Sequence, residues 1–83
     1  MNLSPLNLVP CHIPQRIVEI KAGLEARRKF LAMGLHVGDS IVKLNRSNWS
    51  PVLIRNLTTG SSKIAIGQGL ARKILVVDAL SLI

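Results

Sequence analysis

The sixteen residues from Gly23 to Gly38, Gly-Leu-Glu-Ala-Arg-Arg-Lys-Phe-Leu-Ala-Met-Gly-Leu-His-Val-Gly, leave room for one short helix, its stop signal and a turn. At about 100° per residue, Arg28, Glu25 and Lys29 share one polar sector, while Ala26, Phe30, Leu31 and Met33 fill most of the rest. That is the pattern of a surface helix with one buried face. Gly34 stands where a left-handed residue ends a helix, and counting back from it brings Phe30 against Leu35. Glu25 in the first turn and Lys29 in the second half suit the helix dipole, and Gly23 is an acceptable N-cap. Arg27 alone falls inside the apolar arc, where its stem must pack and its head must reach water or an acceptor.

Around this helix the chain reads as short strands. Pro5, Pro10 and Pro14 make the first fifteen residues an irregular or edge-strand lead-in, with Leu3, Leu6, Leu8 and Val9 expected across the core. Residues 16–22 alternate as a strand that places Val18 with Ile20 on one face and Ile17 with Glu19 on the other. Residues 40–46 form a second strand, with Val42 and Leu44 inward and Lys43 and Asn45 outward. Ser47 to Pro51 is a hairpin loop, and residues 52–57 return with Val52 and Ile54 opposite Leu53 and Arg55. A tighter turn, Thr58 to Ser62, precedes a fourth strand at 63–66. The glycine-rich Gly67 to Arg72 suits one 3₁₀ turn, and Ile74 to Asp78 is the fifth strand. Five short strands without parallel crossovers exclude a doubly wound sheet. The expected fold is mainly β: a small antiparallel barrel with one short helix inserted after the first strand, all in one domain, 1–83.

Composition limits what such a domain can do. The 83 residues are 48% hydrophobic but only 2% aromatic, so the core rests on Ile, Leu and Val. One cysteine, Cys11, forms no internal disulfide, and the opening residues lack a secretory pattern; the expected location is cytoplasmic. The aliphatic run Ile74 to Val77 is far too short to span a bilayer. Net charge is +7 and the pI near 11.0, which favours an anionic partner. The cations are scattered, with only Arg27-Arg28-Lys29 contiguous, so a dedicated nucleic-acid tail is not favoured.

Chemistry is thinly supplied. The acids, Glu19, Glu25, Asp39 and Asp78, form no pair that their spacing forces together. Cys11 and His12 are neighbours on an extended segment and point to opposite faces. Cys11, His12 and His36 lack the repeating spacing of a closed metal site. The chain is therefore read as no enzyme and as needing no cofactor; a metal site shared between chains is the role left open. Gly60 is not followed by Lys-Ser/Thr, and Gly67-Gln-Gly69 lacks a third glycine in place, so neither makes a phosphate loop. Trp49, among Asn and Ser at a hairpin tip, either anchors a partner or folds back over the barrel mouth.

The segment Arg27 to Leu35 followed by His36-Val-Gly-Asp-Ser-Ile41, together with Ile64-Ala-Ile-Gly-Gln-Gly-Leu-Ala-Arg-Lys-Ile-Leu-Val76, resembles the FeoA family of ferrous-iron transport proteins. The likeness covers residues 3–79 and is firmest at Met33-Gly34-Leu35 and Gly38. It departs at Lys29, where arginine is usual, at Phe30, where leucine is usual, and near Pro10-Cys11, where a glycine is common. The resemblance implies an SH3-like barrel, non-enzymatic and cytosolic, that acts on the membrane GTPase-transporter FeoB, and it leaves open transient binding of Fe²⁺ or another divalent ion. The same module resembles the C-terminal domain of iron-dependent repressors, which makes a regulatory or nucleic-acid-binding module the alternative. Two contact surfaces are expected, the helix sector with Arg28 and Lys29 and the loop with Trp49. Self-association through a strand edge and the apolar tail Ala79 to Ile83 is a third possibility.

Overall fold

The computed structural model describes residues 2–46 and 48–79. The chain runs through β1 (Ser4–Pro5), a 3₁₀ turn (Leu6–Leu8), β2 (Gln15–Ile20), α1 (Leu24–Ala32), β3 (Ser40–Lys43), β4 (Val52–Asn56), β5 (Ile64–Ile66), α2 (Gln68–Ala71) and β6 (Ile74–Asp78). All strand pairs are antiparallel in one sheet of order β1-β6-β2-β3-β4-β5. The expected mainly β architecture is present, with six strands among the described residues rather than five, because the lead-in contributes the two-residue β1. Its position suits its sequence: Pro5 has no N–H to donate, so an edge is the place where it costs least. The other edge, β5, is only three residues long, too short to template much pairing.

Side chains from every layer meet in one aliphatic core, in which Leu6, Ile17, Phe30, Leu35, Ile41, Val52, Ile54, Ile66, Ile74 and Val76 are fully buried. The alternation expected for β4 is observed, with Val52, Ile54 and Asn56 inward. In β2 and β3 the inward face differs from expectation. Ile17 pairs with Val76 while Glu19 pairs with Leu75, so one extra residue, Val18, is inserted opposite β6 as a β-bulge. The bulge changes the phase of the strand, so Ile17 and Ile20, expected on opposite faces, both face the core together with Gln15. In β3 the inward residues are Ile41 and Lys43, not Val42 and Leu44. Lys43 is 5% exposed because its ammonium donates to the carbonyls of Asn7 at 2.8 Å and Val9 at 3.2 Å. A buried charge is tolerated when dipoles of this kind replace its water, and here the bonds also fasten the lead-in. Leu6 and Val9 enter the core as expected, whereas Leu3 and Leu8 stay exposed.

The segment 67–72 is α-helical rather than 3₁₀: Ala71 N bonds Gly67 O at 2.9 Å and Arg72 N bonds Gln68 O at 3.1 Å, which draws Ala71 fully into the core. The stop signal of α1 is observed as expected. Gly34 has φ +80°, its N–H donates to Leu31 O at 2.9 Å, and Leu35 N–H reaches back to Phe30 O at 2.9 Å. These are the paired bonds of a Schellman closure, and Phe30 and Leu35, both fully buried, are its hydrophobic clasp. The buried stripe of α1 is narrower than its wheel suggests. Phe30, flanked by half-buried Ala26 and Met33, enters the core, while Leu24 and Leu31 face solvent. Phe30→Ala should therefore destabilise the chain by about 3–5 kcal/mol in a denaturant titration, through lost burial and a cavity. Leu31→Ala on the same helix should change stability by less than about 0.5 kcal/mol.

Candidate interaction surface

The path from α1 into β3 is set by three side chains. Asn56, fully buried at the end of β4, donates from Nδ2 to Gly34 O at 2.9 Å and to Asp39 Oδ2 at 2.8 Å, while its Oδ1 accepts from Thr58 N–H and Thr59 N–H. One amide thus ties the helix stop, the β3 entry and the β4–β5 turn. Asp39 Oδ2 also accepts His36 N–H at 2.9 Å and lies 3.2 Å from His36 Nδ1. Burial pushes the Asp39 carboxyl up, but the Asn56 amide, the His36 N–H and the His36 ring together outweigh it and leave the group below its ordinary value. Gly38, with φ +97°, lets the chain turn sharply enough for its N–H to reach Ile17 O at 2.8 Å.

This corner presents a shallow apolar cleft of about 310 Å³ lined by Ile20, Arg27, Leu31, Leu35, His36 and Val37. Leu31 and Val37 are more than half exposed on it. Arg27 forms one wall and is held there: its Nε donates to Ala22 O at 2.8 Å and Nη2 to Ile20 O at 2.9 Å. The acceptor that its place in the apolar arc demanded is the carbonyl end of β2. Arg28 and Lys29 are exposed on the same helix. The expected helix sector is therefore cationic as read, but the apolar surface beside it, carried by Leu31 and Val37, was assigned to the core by the wheel or not assigned at all.

Trp49 does not fold back over the barrel. It is 97% exposed in the loop between β3 and β4, at the opposite end of that hairpin from Ser40, where the chain from α1 enters. The structure thus keeps Trp49 apart from Arg28 and Lys29. Phe30, Met33, Gly34 and Leu35 lie at the helix stop, and Gly38 lies in the turn that follows it. His12 is exposed and takes a left-handed φ of +65°, and Cys11 is half-buried. Among the described residues no three His, Cys, Asp or Glu side chains cluster as a metal site, and no helix is long and apolar enough to cross a membrane. Ser47 of the expected hairpin loop and residues 80–83 of the tail considered for self-association lie outside the described residues. Asn56 and Lys43 were missed from sequence; the signal for Asn56 was a polar residue in phase with inward Val52 and Ile54, followed by the turn-forming Thr-Thr-Gly.

A mainly β domain with an inserted helix and an open surface cleft is an SH3-like module. The chain belongs to the FeoA domain family, whose model matches residues 4–78. It is 41% identical over 63 residues to a Methanocaldococcus jannaschii chain provisionally named Fe(2+) transport protein A, spanning 76% of this chain and 72% of the other. Among solved structures it is similar to an iron uptake regulatory protein (FeoA), with 31% identity and TM-score 0.78 over 93% of this chain and 97% of that one. A manganese-dependent transcriptional repressor shares the fold at 17% identity, with TM-score 0.81 over 92% of this chain and 41% of the repressor.

Because its pKa is lowered on folding, Asp39 adds stability above the ordinary carboxylate pKa and loses it as pH falls through the folded value. Asp39→Ala should cost about 1–3 kcal/mol near pH 7, the range for removing an ionised acceptor from buried donors. The gap between wild type and variant should close below about pH 4, which urea titrations across the pH range would measure.

Proposed function

We propose that this chain is a non-enzymatic, cytoplasmic accessory of ferrous-iron uptake that binds the cytosolic part of a membrane GTPase-transporter of the FeoB kind and modulates it. Membership of the FeoA family and the naming of its relatives for Fe²⁺ transport support the process. The single observation that carries the binding role is the cleft beside α1, where exposed Leu31 and Val37 sit in a fixed frame with Arg28 and Lys29 on the same helix. An apolar cleft with Arg27 in its wall, on a helix that also exposes Arg28 and Lys29, suits an acidic partner segment that brings its own aliphatic anchor: the apolar contact gives lifetime, and the charges give encounter rate and orientation. Arg27 stiffens the wall, so little ordering cost falls on the binding step.

The test is binding of the transporter's purified cytosolic portion, followed by interferometry. Leu31→Glu, which changes an exposed residue and leaves the core alone, should weaken binding about ten-fold or more, mostly through faster dissociation. Arg28→Glu with Lys29→Glu should mainly slow association and flatten its dependence on salt. Unchanged binding by both variants would reject this surface, and no binding by the wild type would reject the reading itself.

A further inference from the structure

Negative charge is sparse in this chain. The four acids are Glu19, Glu25, Asp39 and Asp78, so residues 40–77 carry Lys43, Arg46, Arg55, Lys63, Arg72 and Lys73 with no acid among them. Lys43 is turned inward on the Asn7 and Val9 carbonyls, while Arg46, Arg55, Lys63, Arg72 and Lys73 are exposed. These cations are not gathered on one face: Arg55 lies beside Asn56 and Lys63 follows the β4–β5 turn, whereas Trp49, 97% exposed, stands in the loop with exposed Arg46, Asn48, Ser50 and Pro51.

The projection is held in place. Asn45 closes the base of the loop, its Nδ2 donating to Pro51 O at 2.9 Å and its Oδ1 accepting Leu53 N–H at 2.9 Å. From α2, Gln68 Nε2 donates to Ser50 O at 2.8 Å, next to Trp49. α2 also lies against the 3₁₀ turn, whose Leu8 is 71% exposed. The two most exposed large apolar side chains among the described residues therefore belong to segments linked through α2.

We propose that the Trp49 loop docks this protein on anionic phospholipid headgroups, with the indole entering the bilayer interface and Arg46 lying over the lipid phosphates. An indole with an apolar body and a polar N–H partitions to the depth of the headgroups, and basic side chains beside it are attracted by the negative surface potential. Two rival occupants fit less well. Unspecific single-strand binding uses several stacking platforms, and this chain has no Tyr and its one Phe is buried, leaving a single ring. A protein pocket favours an aromatic anchor ringed by apolar contacts that exclude water, whereas Trp49 is bordered by exposed Asn48 and Ser50. A fluid, negatively charged interface needs neither a second platform nor a collar. The docking is weak and reversible, since one small anchor and one adjacent cation fall short of stable insertion.

The test needs no transporter, so its outcome is separate from that of the reading above. Trp49 is the one Trp in a chain without Tyr, so intrinsic emission reports this residue alone. Vesicles of phosphatidylcholine with phosphatidylglycerol should shift its emission to the blue, and brominated acyl chains should quench it. Vesicles of phosphatidylcholine alone should do neither, and raising salt from about 50 mM to about 500 mM should reverse the shift. By co-sedimentation, Arg46→Gln should lower partitioning roughly five-fold, the effect of one cation at such a surface. Trp49→Ser should lower it by at least as much with an unchanged circular dichroism spectrum. No binding to anionic vesicles, binding with the indole unshifted and unquenched, or equal partitioning of Trp49→Ser would overturn the proposal. So would a blue shift produced by single-stranded oligonucleotide but not by vesicles.

Discussion

The buried amide of Asn56 is the contact on which the rest of this structure depends. A primary amide in an aliphatic core is costly unless both ends are satisfied. Here Nδ2 reaches Gly34 O and Asp39 Oδ2, and Oδ1 receives two backbone N–H groups of the following turn. Two segments 17 to 22 residues apart, the helix stop with the β3 entry and the end of β4 with its turn, can meet only in the arrangement that completes this set. Apolar packing would accept several placements of a short helix over a bent sheet; the amide accepts one. The Schellman closure behind Gly34 then points α1 so that Phe30 enters the core and Leu31 does not.

What was legible in the sequence follows the range of the interactions involved. The helix, its glycine stop and the Phe30–Leu35 clasp are decided within a dozen residues, and all are present. The alternation of β4 survives because that strand pairs regularly on both sides. β2 was misread because an inserted residue is visible only against its partner: nothing within residues 15–20 announces that Val18 is extra, and the register with β6 does. β3 was misread for a different reason. A lysine is placed outward by default, and its acceptors here are carbonyls of Asn7 and Val9, more than thirty residues away. Arg27 lay between these cases, its acceptors five and seven residues back, and the need for them was apparent although their identity was not.

The candidate surfaces were legible to the same degree. Arg28 and Lys29 are exposed as the helical wheel required, yet a wheel cannot say how wide a stripe the sheet will cover. With Phe30 already filling the space under α1, Leu31 was left outside, where Val37 from the turn joins it. The apolar cleft is thus a by-product of a narrow helix–sheet contact. At Trp49 the sequence posed the right alternatives, and the Asn45 clamp decided between them, since a loop closed at Asn45, Pro51 and Leu53 holds its tip away from the core.

These two surfaces stand at opposite ends of the β3–β4 hairpin, and the hairpin is the stiffest link the fold offers between them, with ladder bonds along β3 and β4 and a clamp at either end. The separation has an electrostatic counterpart. Glu25 and Asp39 lie in and after α1, so the charge at that end is mixed, whereas the loop between β3 and β4 carries Arg46 and no acid. The α1 end, with Arg27, Arg28 and Lys29 against Glu25 and Asp39, still carries net positive charge, so both ends suit an anionic partner and differ in what accompanies the charge, an apolar cleft at one and an exposed indole at the other.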